Sequence, residues 1–536
     1  MSRLPSVMKH SFSRVPKINI PRSTFDCSHG YKTTFDAGLL VPIYVDEALP
    51  GDTFNLRLNA FARLATPIHP IMDNMYLDTF FFAVPVRLLW DNWEKFNGAQ
   101  EDPGDSTDYT VPTLTTPNSG AGGVAVGSLG DYFGWPVGAG AAGASGYAVN
   151  ALHTRAYNLI YNQWFRDENL QDSVHVDTDD GPDTYAQYSL KRRGKRHDYF
   201  TSALPWPQKA DSAVSLPLGT SAPIDYVPSG GVAAQMRKAS DDSLATSVAA
   251  LGTDASGNIE GSGNDLFLDP NDTLVADLSS ATAATINALR EAEQLQVMYE
   301  RDARGGTRYT ELLRSHFGVV SPDQRLQRAE YLGGGSTPVN IHPVPQTSET
   351  NTTNQGNLAA FGTVSTNGGK FNHHGFNKSF VEHCVLIGLA SVRADLTYQQ
   401  GLNRMWSRQT RFDFYWPGLA HLGEQEILNK EIYMQGTTAD DDVFGYQERY
   451  AEYRYKPSLI TGQFRSAAAT SLDNWHLSQE FGSLPTLGDS FIQDNPPVDR
   501  VIATATEPHF IYDSYIRLIC ARPMPVYGVP SLGGRL

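Results

Sequence analysis

The sequence predicts a mainly β protein, a single β-sandwich with strands toward both ends of the chain and greatly enlarged connections. Three observations carry this. In the run from Phe54, the residues Phe54, Leu56 and Leu58 alternate with Asn55, Arg57 and Asn59, the period of a half-buried strand. Near the other end, Phe510, Tyr512, Ile516, Leu518 and Cys520 fall on one face of a second such run, leaving roughly 290 residues of loops and helices between the strand-rich ends. Gly 47 and Pro 32 are more than a tightly connected fold needs, and they call for many turns and long loops.

Along the chain, residues 1–35 read as an extended basic arm, with Arg3, Lys9, Arg14, Lys17, Arg22 and Lys32 against Asp26; a tail with no partner has the same composition. Residues 36–90 and 370–525 read as the discontinuous strand core. It includes the apolar run at 39–45, a strand at 76–86 closed by Pro85, and strands at 379–391, 449–455 and 509–520. Residues 91–224 read as insertion loops plus an amphipathic helix at 151–170, where Leu152, Tyr157 or Ala156, Ile160 and Trp164 recur near helical spacing. Ten glycines between 120 and 146 favour a loop lying along a surface. The seven carboxylates at 167–183 and the KRRGKR run at 191–196 read as a pair of solvated loops of opposite sign.

Residues 225–280 carry nine acids against Arg237 and Lys238, with few aromatics, and read as an exposed excursion, either a disordered loop or a projecting knob that packs only against copies of itself. Within it, Asp241, Asp242, Asp254 and Asp265 are the outward-facing candidates. Residues 281–369 read as a helix and loop insertion; the helix spans 282–304, with Leu289, Ala292, Leu295 and Tyr299 on one face and Gly305-Gly306 ending it. Residues 526–536 form a tail.

Net charge is −16, so bulk neutralisation of nucleic acid by this chain is excluded and any phosphate contact has to be local. Cys27, Cys384 and Cys520 are too widely spaced for a disulfide framework or a zinc site, which fits folding in a reducing cytosol. The most apolar stretches, 79–90 and 384–392, are too short to cross a bilayer, and residues 1–20 lack a signal-type apolar run.

A search for catalytic spacing finds no phosphate-cradling P-loop, no H-E-x-x-H and no G-x-S-x-G. The run from Asp177 has its glycine too early for a calcium loop, and His373-His374 reads as a polar turn ahead of a strand. No cofactor or metal set emerges. Asp413, Glu424 and Glu426 invite comparison with the paired carboxylates of a glycosidase, which keeps a carbohydrate-active sandwich as a rival; a receptor-binding spike is another. Arg404, Trp406, Arg408 and Arg411 combine cations with an aromatic, the pairing that holds single strands by stacking, though ordinary salt bridges explain the arginines equally.

Long stretches then carry a family likeness. IPRSTFDCSHGYKTTFDAGLLVPIYVDEALPGDTF at 20–54, TPIHPIMDNMYLDTFFFAVPVRLLWDNWEKFNG at 66–98, KRRGKRHDYFTSALPWPQK at 191–209, the segment at 295–334, GLNRMWSRQTRFDFYWPGLAHLGEQEILNKEI at 401–432, and the segments at 444–466 and 472–481 closely resemble microvirus major capsid proteins, the gokushovirus branch in particular. These blocks cover both ends and much of the middle, and the window near 225–280 carries no family motif.

The resemblance implies an eight-stranded jelly roll with long insertions, and sixty copies closing a T=1 shell around circular single-stranded DNA. It implies assembly in a bacterial cytoplasm, and a variable threefold protrusion that meets a bacterial surface receptor. The partners it implies are a small basic DNA-binding virion protein, a DNA pilot protein and a scaffolding protein. Arg3, Lys9, Arg14 and Lys17, with Arg404, Trp406, Arg408 and Arg411, become the candidate DNA contacts. Trp90, Trp93, Trp164, Trp206, Trp406, Trp416 and Trp475 become candidate interface anchors, each of which could equally be a core residue.

Overall fold

The computed structural model describes residues 21–209, 286–345, 357–366 and 374–527, together with short strands at 224–226, 236–238, 251–253, 259–261, 264–268 and 274–276. Two antiparallel sheets dominate. Their strands are β1 (Ser23–Asp26), β2 (His29–Phe35), β3 (Val41–Ala48), β4 (Thr53–Leu64), β5 (Met75–Pro85), β6 (Glu330–Pro338), β7 (Asn340–Pro345), β8 (Asn357–Ser365), β9 (Gly375–Ser379), β10 (Cys384–Ala394) and β11 (Phe510–Arg522). The larger sheet runs β1-β11-β4-β8-β7, with β2 also on β11 and β9 also on β4; the smaller runs β6-β5-β10-β3.

The predicted alternation decides which faces meet. Along β4, Phe54, Leu56, Leu58, Ala60, Ala62 and Leu64 are buried while the residues between them face solvent. The same holds along β11 from Phe510 to Cys520. These faces share one core with Val41, Ile43, Leu77, Phe81 and Leu386 of the smaller sheet, so the two sheets form a sandwich. Burial of each such Phe or Leu contributes roughly 1.5–3 kcal/mol.

The smaller sheet does not alternate, because it is covered twice. Ten of the eleven β10 residues are buried. Phe82, Val84, Val385, Ile387 and Leu389 face a second core completed by Trp90, Leu152, Tyr157 and Ile160 of the insertion. A middle layer of this kind reads as a continuous apolar run. β5 ends at Pro85, where the predicted stop lies.

Several expectations need correction. Residues 23–35, read as part of the arm, form β1 and β2 against β11. Residues 330–365, read as helix and loop, supply β6, β7 and β8. The glycine run at 333–335 hid β6: a Cβ at Gly334 would lie 2.0 Å from the Thr79 carbonyl oxygen, so the pairing with β5 depends on glycine there. The predicted strand at 449–455 lies earlier, at Val443–Glu448, and the chain then leaves it through Tyr450 at φ 63 into a turn at Ala451–Tyr453. The helix stops short of 170. It spans Leu152–Ile160, loosens into a wider turn to Phe165, and the Asp167 carboxylate accepts the Asn169 and Leu170 amides to redirect the chain. Cys27 and Cys520, far apart in sequence, come within 3.3 Å as free thiols because β1 lies on β11.

The acidic and basic runs at 167–183 and 191–196 are not simply solvated loops. Arg155 and Asp183, both fully buried, face each other as a two-pronged ion pair, and Asp180 accepts the Trp90 indole N–H at 2.6 Å. Arg193 and Arg393 converge on Asp78. Charge blocks alone could not reveal this, since the partners come from other parts of the fold.

His374 also departs from the polar-turn reading. It is 3% exposed, and its ring joins Thr79 of β5 at 2.7 Å and Thr337 of β6 at 2.8 Å. Its own carbonyl accepts the Leu58 amide of β4, so one residue ties both sheets. A Cβ at Gly335 would sit 2.9 Å from the imidazole, so the ring needs glycine beside it. Burial pushes the His374 pKa below its ordinary value, with Asp78 opposing. The unfolded chain therefore takes up a proton first on acidification; this contribution is intact above about pH 6.5 and falls as pH drops toward the folded value. The urea midpoint is expected to fall between pH 7.5 and 5.5, and the fall to shrink in His374→Gln. An unchanged slope in the variant would remove His374 from the acid response.

Residues Gln208–Arg304 form a second compact unit. Its described strands make a four-stranded antiparallel sheet, ordered 251–253, 259–261, 264–268, 236–238, and a pair of 274–276 with 224–226. The helix Ile286–Gly305 ends at the predicted glycine, and Leu289, Leu295, Met298 and Tyr299 along it are exposed.

Candidate functional site

The loop after β10 carries Arg404, Trp406, Arg408, Arg411, Asp413 and Trp416 of the residues singled out from sequence. Gly401 admits it: a Cβ there would lie 1.9 Å from the Glu431 carbonyl oxygen, and Leu402 donates its amide to Lys430 at 2.7 Å. A short turn at Arg404–Trp406 follows, capped by Asn403, whose side-chain oxygen accepts the Met405 amide at 3.0 Å.

Arg404, Arg408 and Arg411 each find a partner within the chain. Arg404 donates to the Glu431 carboxylate at 2.9 Å and to the Glu426 carbonyl at 2.6 Å. Tyr199 donates to the same carboxylate, whose pKa burial pushes above the ordinary range against the pull of Arg404. Arg408 pairs with Glu452 at 3.4 Å and lies 4.1 Å from the Tyr453 ring. Arg411 stacks 4.6 Å over Trp416, whose indole N–H returns to the Arg411 carbonyl at 3.0 Å. Trp406 stands outside, 71% exposed.

What these turns present is aromatic. Phe412, Phe414 and Tyr415 are each more than half exposed, as is Met405 next to Trp406. The aromatic run RFDFYWPG was the available signal, and its exposure was not readable because an aromatic run fits a core equally well. Of the other tryptophans, Trp90 is core, Trp164 is half-buried and donates to the Ala329 carbonyl at 3.0 Å, and Trp475 stacks on His69 at 4.6 Å. Trp93 packs against Trp90 and Phe96, and Trp206 is half-buried.

Of the carboxylates that suggested glycosidase chemistry, Asp413 has local work. Asp413 accepts the Gln409 and Thr410 amides at 2.8 and 2.7 Å, capping its own turn, and those bonds hold its pKa below the ordinary carboxylate range. Glu424 and Glu426 lie two apart on the strand Glu424–Leu428, opposite Glu448 and Tyr446 of the strand Val443–Glu448. Among the described residues, no group of three or more His, Cys, Asp or Glu side chains is placed to hold a metal ion.

Arg3, Lys9, Arg14 and Lys17 lie outside the described residues, as do Asp241, Asp242 and Asp254. Asp265 lies in the strand Asn264–Leu268, in register with Glu260.

The comparisons bear on the whole chain. Residues 13–532 match the family model described as "Capsid protein (F protein)". The chain is 52% identical over 538 residues to the capsid protein VP1 of Bdellovibrio phage phiMH2K, covering 98% of each. It is 45% identical over 601 residues to the capsid protein VP1 of Chlamydia phage 1, covering 99% of each. With the capsid protein VP1 of Spiroplasma virus 4 the identity is 37% over 561 residues, again covering 99% of each.

Proposed function

The chain belongs to the phage capsid protein (F protein) family, and from that premise we propose that sixty copies close a T=1 shell around a circular single-stranded DNA genome. It is a major capsid protein, a structural component of the virion and not an enzyme. The observation that carries the assembly reading is the aromatic lobe at 405–416, whose Trp406, Phe412, Phe414 and Tyr415 are each more than half exposed. Closed symmetry lets one such patch recur in every subunit.

In this reading the sandwich is an eight-stranded jelly roll with additional edge strands. Arg404 and Arg408 are neutralised by carboxylates of their own chain, so the lobe serves protein contact and the strand falls chiefly to Arg3, Lys9, Arg14 and Lys17 of the arm. Residues 225–280, with Asp241, Asp242, Asp254 and Asp265, form the threefold protrusion toward a bacterial surface receptor. A subunit of net charge −16 cannot neutralise a genome. A small basic virion protein therefore supplies the counter-charge, while scaffolding and pilot proteins act during assembly in the bacterial cytoplasm.

Sedimentation after nuclease treatment tests this. Sixty chains of 58.8 kDa give about 3.5 MDa before the genome, and the chain is expected to travel near that size with protected single-stranded DNA. A trimer or pentamer without DNA would favour a receptor-binding spike and overturn the shell.

A further inference from the structure

On the face of the smaller sheet turned away from the sandwich core lies a cavity of about 710 Å³, within the range of roughly 300–1,000 Å³ typical of small-molecule sites. Its floor is aromatic. Phe80 and Phe82 alternate outward from β5, and Trp164, Phe165 and Tyr331 pack on them with ring centroids 5.3 to 6.5 Å apart. Tyr331 is 40% exposed, so part of its ring is free to receive a planar partner.

The rim is cationic. Arg166, Arg193, Lys195, Arg196, Arg308 and Arg393 line it, against the carboxylates of Asp167 and Glu311. Internal pairing is incomplete. Arg193 and Arg393 share one carboxylate, that of Asp78. Lys195 donates to the neutral Gln479 at 2.9 Å and lies over Phe491. Arg166 has no ion pair among the described residues and gives one N–H to the Gln171 carbonyl. Arg196 pairs with Asp395 and Arg308 with Glu168 and Glu311.

The Nε–H groups of Arg166, Arg196 and Arg393, three of the residues that line this space, are shielded from water and have no acceptor among the described residues. Such groups cost of the order of 1–3 kcal/mol each when left unmet. Burial also holds Lys195 down to about 8 against the pull of Asp494 and Asp198, and burial with the neighbouring Arg393 charge holds Arg193 down to about 10 against the pull of Asp78 and Asp494.

We propose that this cavity binds a nucleoside phosphate, its base stacked against Tyr331 and the aromatic floor and its phosphate taken by the guanidinium donors of Arg166 and its neighbours. Guanidinium groups match phosphate geometry, and a ring face beside them selects a planar base over a bare anion. The ligand has two sources: a free nucleotide, or a nucleotide of the packaged strand, the second of which rests on the shell reading above.

Calorimetric titration of the purified full-length chain with dTMP, thymidine, inorganic phosphate and an eight-residue oligothymidylate separates them. dTMP is expected to bind saturably, with thymidine and phosphate each at least about tenfold weaker. Arg166→Gln and Tyr331→Leu should each weaken dTMP at least about tenfold. Tyr331→Phe, which keeps the ring, and Arg454→Gln, an exposed arginine paired with Glu448, should not. An oligonucleotide far tighter than dTMP and strongly salt-dependent identifies the strand as the source; equal affinities identify the free nucleotide. Absence of saturable binding by both, or affinities indifferent to Arg166→Gln and Tyr331→Leu, overturns the site. Nuclease-resistant particles from a chain that binds neither probe would overturn it while leaving the shell intact.

Discussion

Arg155→Met is expected to destabilise the chain by about 3–5 kcal/mol, because it strands a buried carboxylate. Arg155 and Asp183 both have side chains at 0% exposure. The guanidinium meets Asp183 through two N–H groups, one at 2.8 Å, and gives the remainder to the Leu89 and Asp179 carbonyls, each at 2.9 Å, and to the Asp179 carboxylate. Methionine fills much of the volume but donates nothing, leaving Asp183 with the Tyr188 hydroxyl. Burial and the Asp183 charge already push that hydroxyl well above its ordinary pKa. Urea unfolding followed by tryptophan fluorescence measures the loss, and Trp90, bonded to the adjacent Asp180, is a local reporter. Arg155→Met with Asp183→Leu should recover most of the deficit, since removing both partners leaves no orphaned charge. A single variant within about 1 kcal/mol of the parent, well below the usual cost of orphaning a buried charge, would show that water reaches Asp183.

Trp406→Ala should abolish particles while leaving the soluble chain folded. The side chain is 71% exposed and belongs to none of the three buried clusters, so its loss costs the isolated subunit little. In a subunit contact, truncating an aromatic anchor typically costs about 2–4 kcal/mol, or about 30- to 700-fold in each contact's equilibrium constant. Every copy bears the same defect, so the closed shell loses the increment at each repetition. Velocity sedimentation is expected to show slow soluble material with an unchanged circular dichroism spectrum. Intact but empty particles would transfer Trp406 to nucleic-acid contact; DNA-filled particles at parental yield would remove it from both roles.

The sandwich strands were legible because a strand with one wet face writes its burial into alternate positions. Phe54 to Leu64 and Phe510 to Cys520 show that pattern plainly. β6 was not legible. Its Gly333–Gly335 run looks like loop, and only the closeness of the Thr79 carbonyl and the His374 ring explains why side chains are excluded there. At 449–455 the alternation of ring and charge mimicked a strand, whereas the rings stack on arginines: Arg449 over Tyr450, and Arg408 over Tyr453.

The candidate site divided in the same way. Residue type suggested that Arg404, Trp406, Arg408 and Arg411 act together, whereas the pairing of Arg404 with Glu431 and of Arg408 with Glu452 is a matter of three-dimensional neighbours that residue type does not show. Equally, the KRRGKR run showed its charge but not its place. Its Arg193, Lys195 and Arg196 are drawn to the rim of an aromatic cavity whose floor comes from β5, the 161–165 turn and β6.

By itself, the sequence determined the β class, the sandwich strands with one wet face, the family and the absence of a catalytic motif, because these depend on periodicity and on runs of residues contiguous along the chain. The tertiary structure alone decided which charges are buried, which aromatics face water and which arginines remain short of an acceptor. Those properties depend on desolvation and on pairing between residues as distant as Arg155 and Asp183 or His374 and Thr79, and no local pattern encodes the partner.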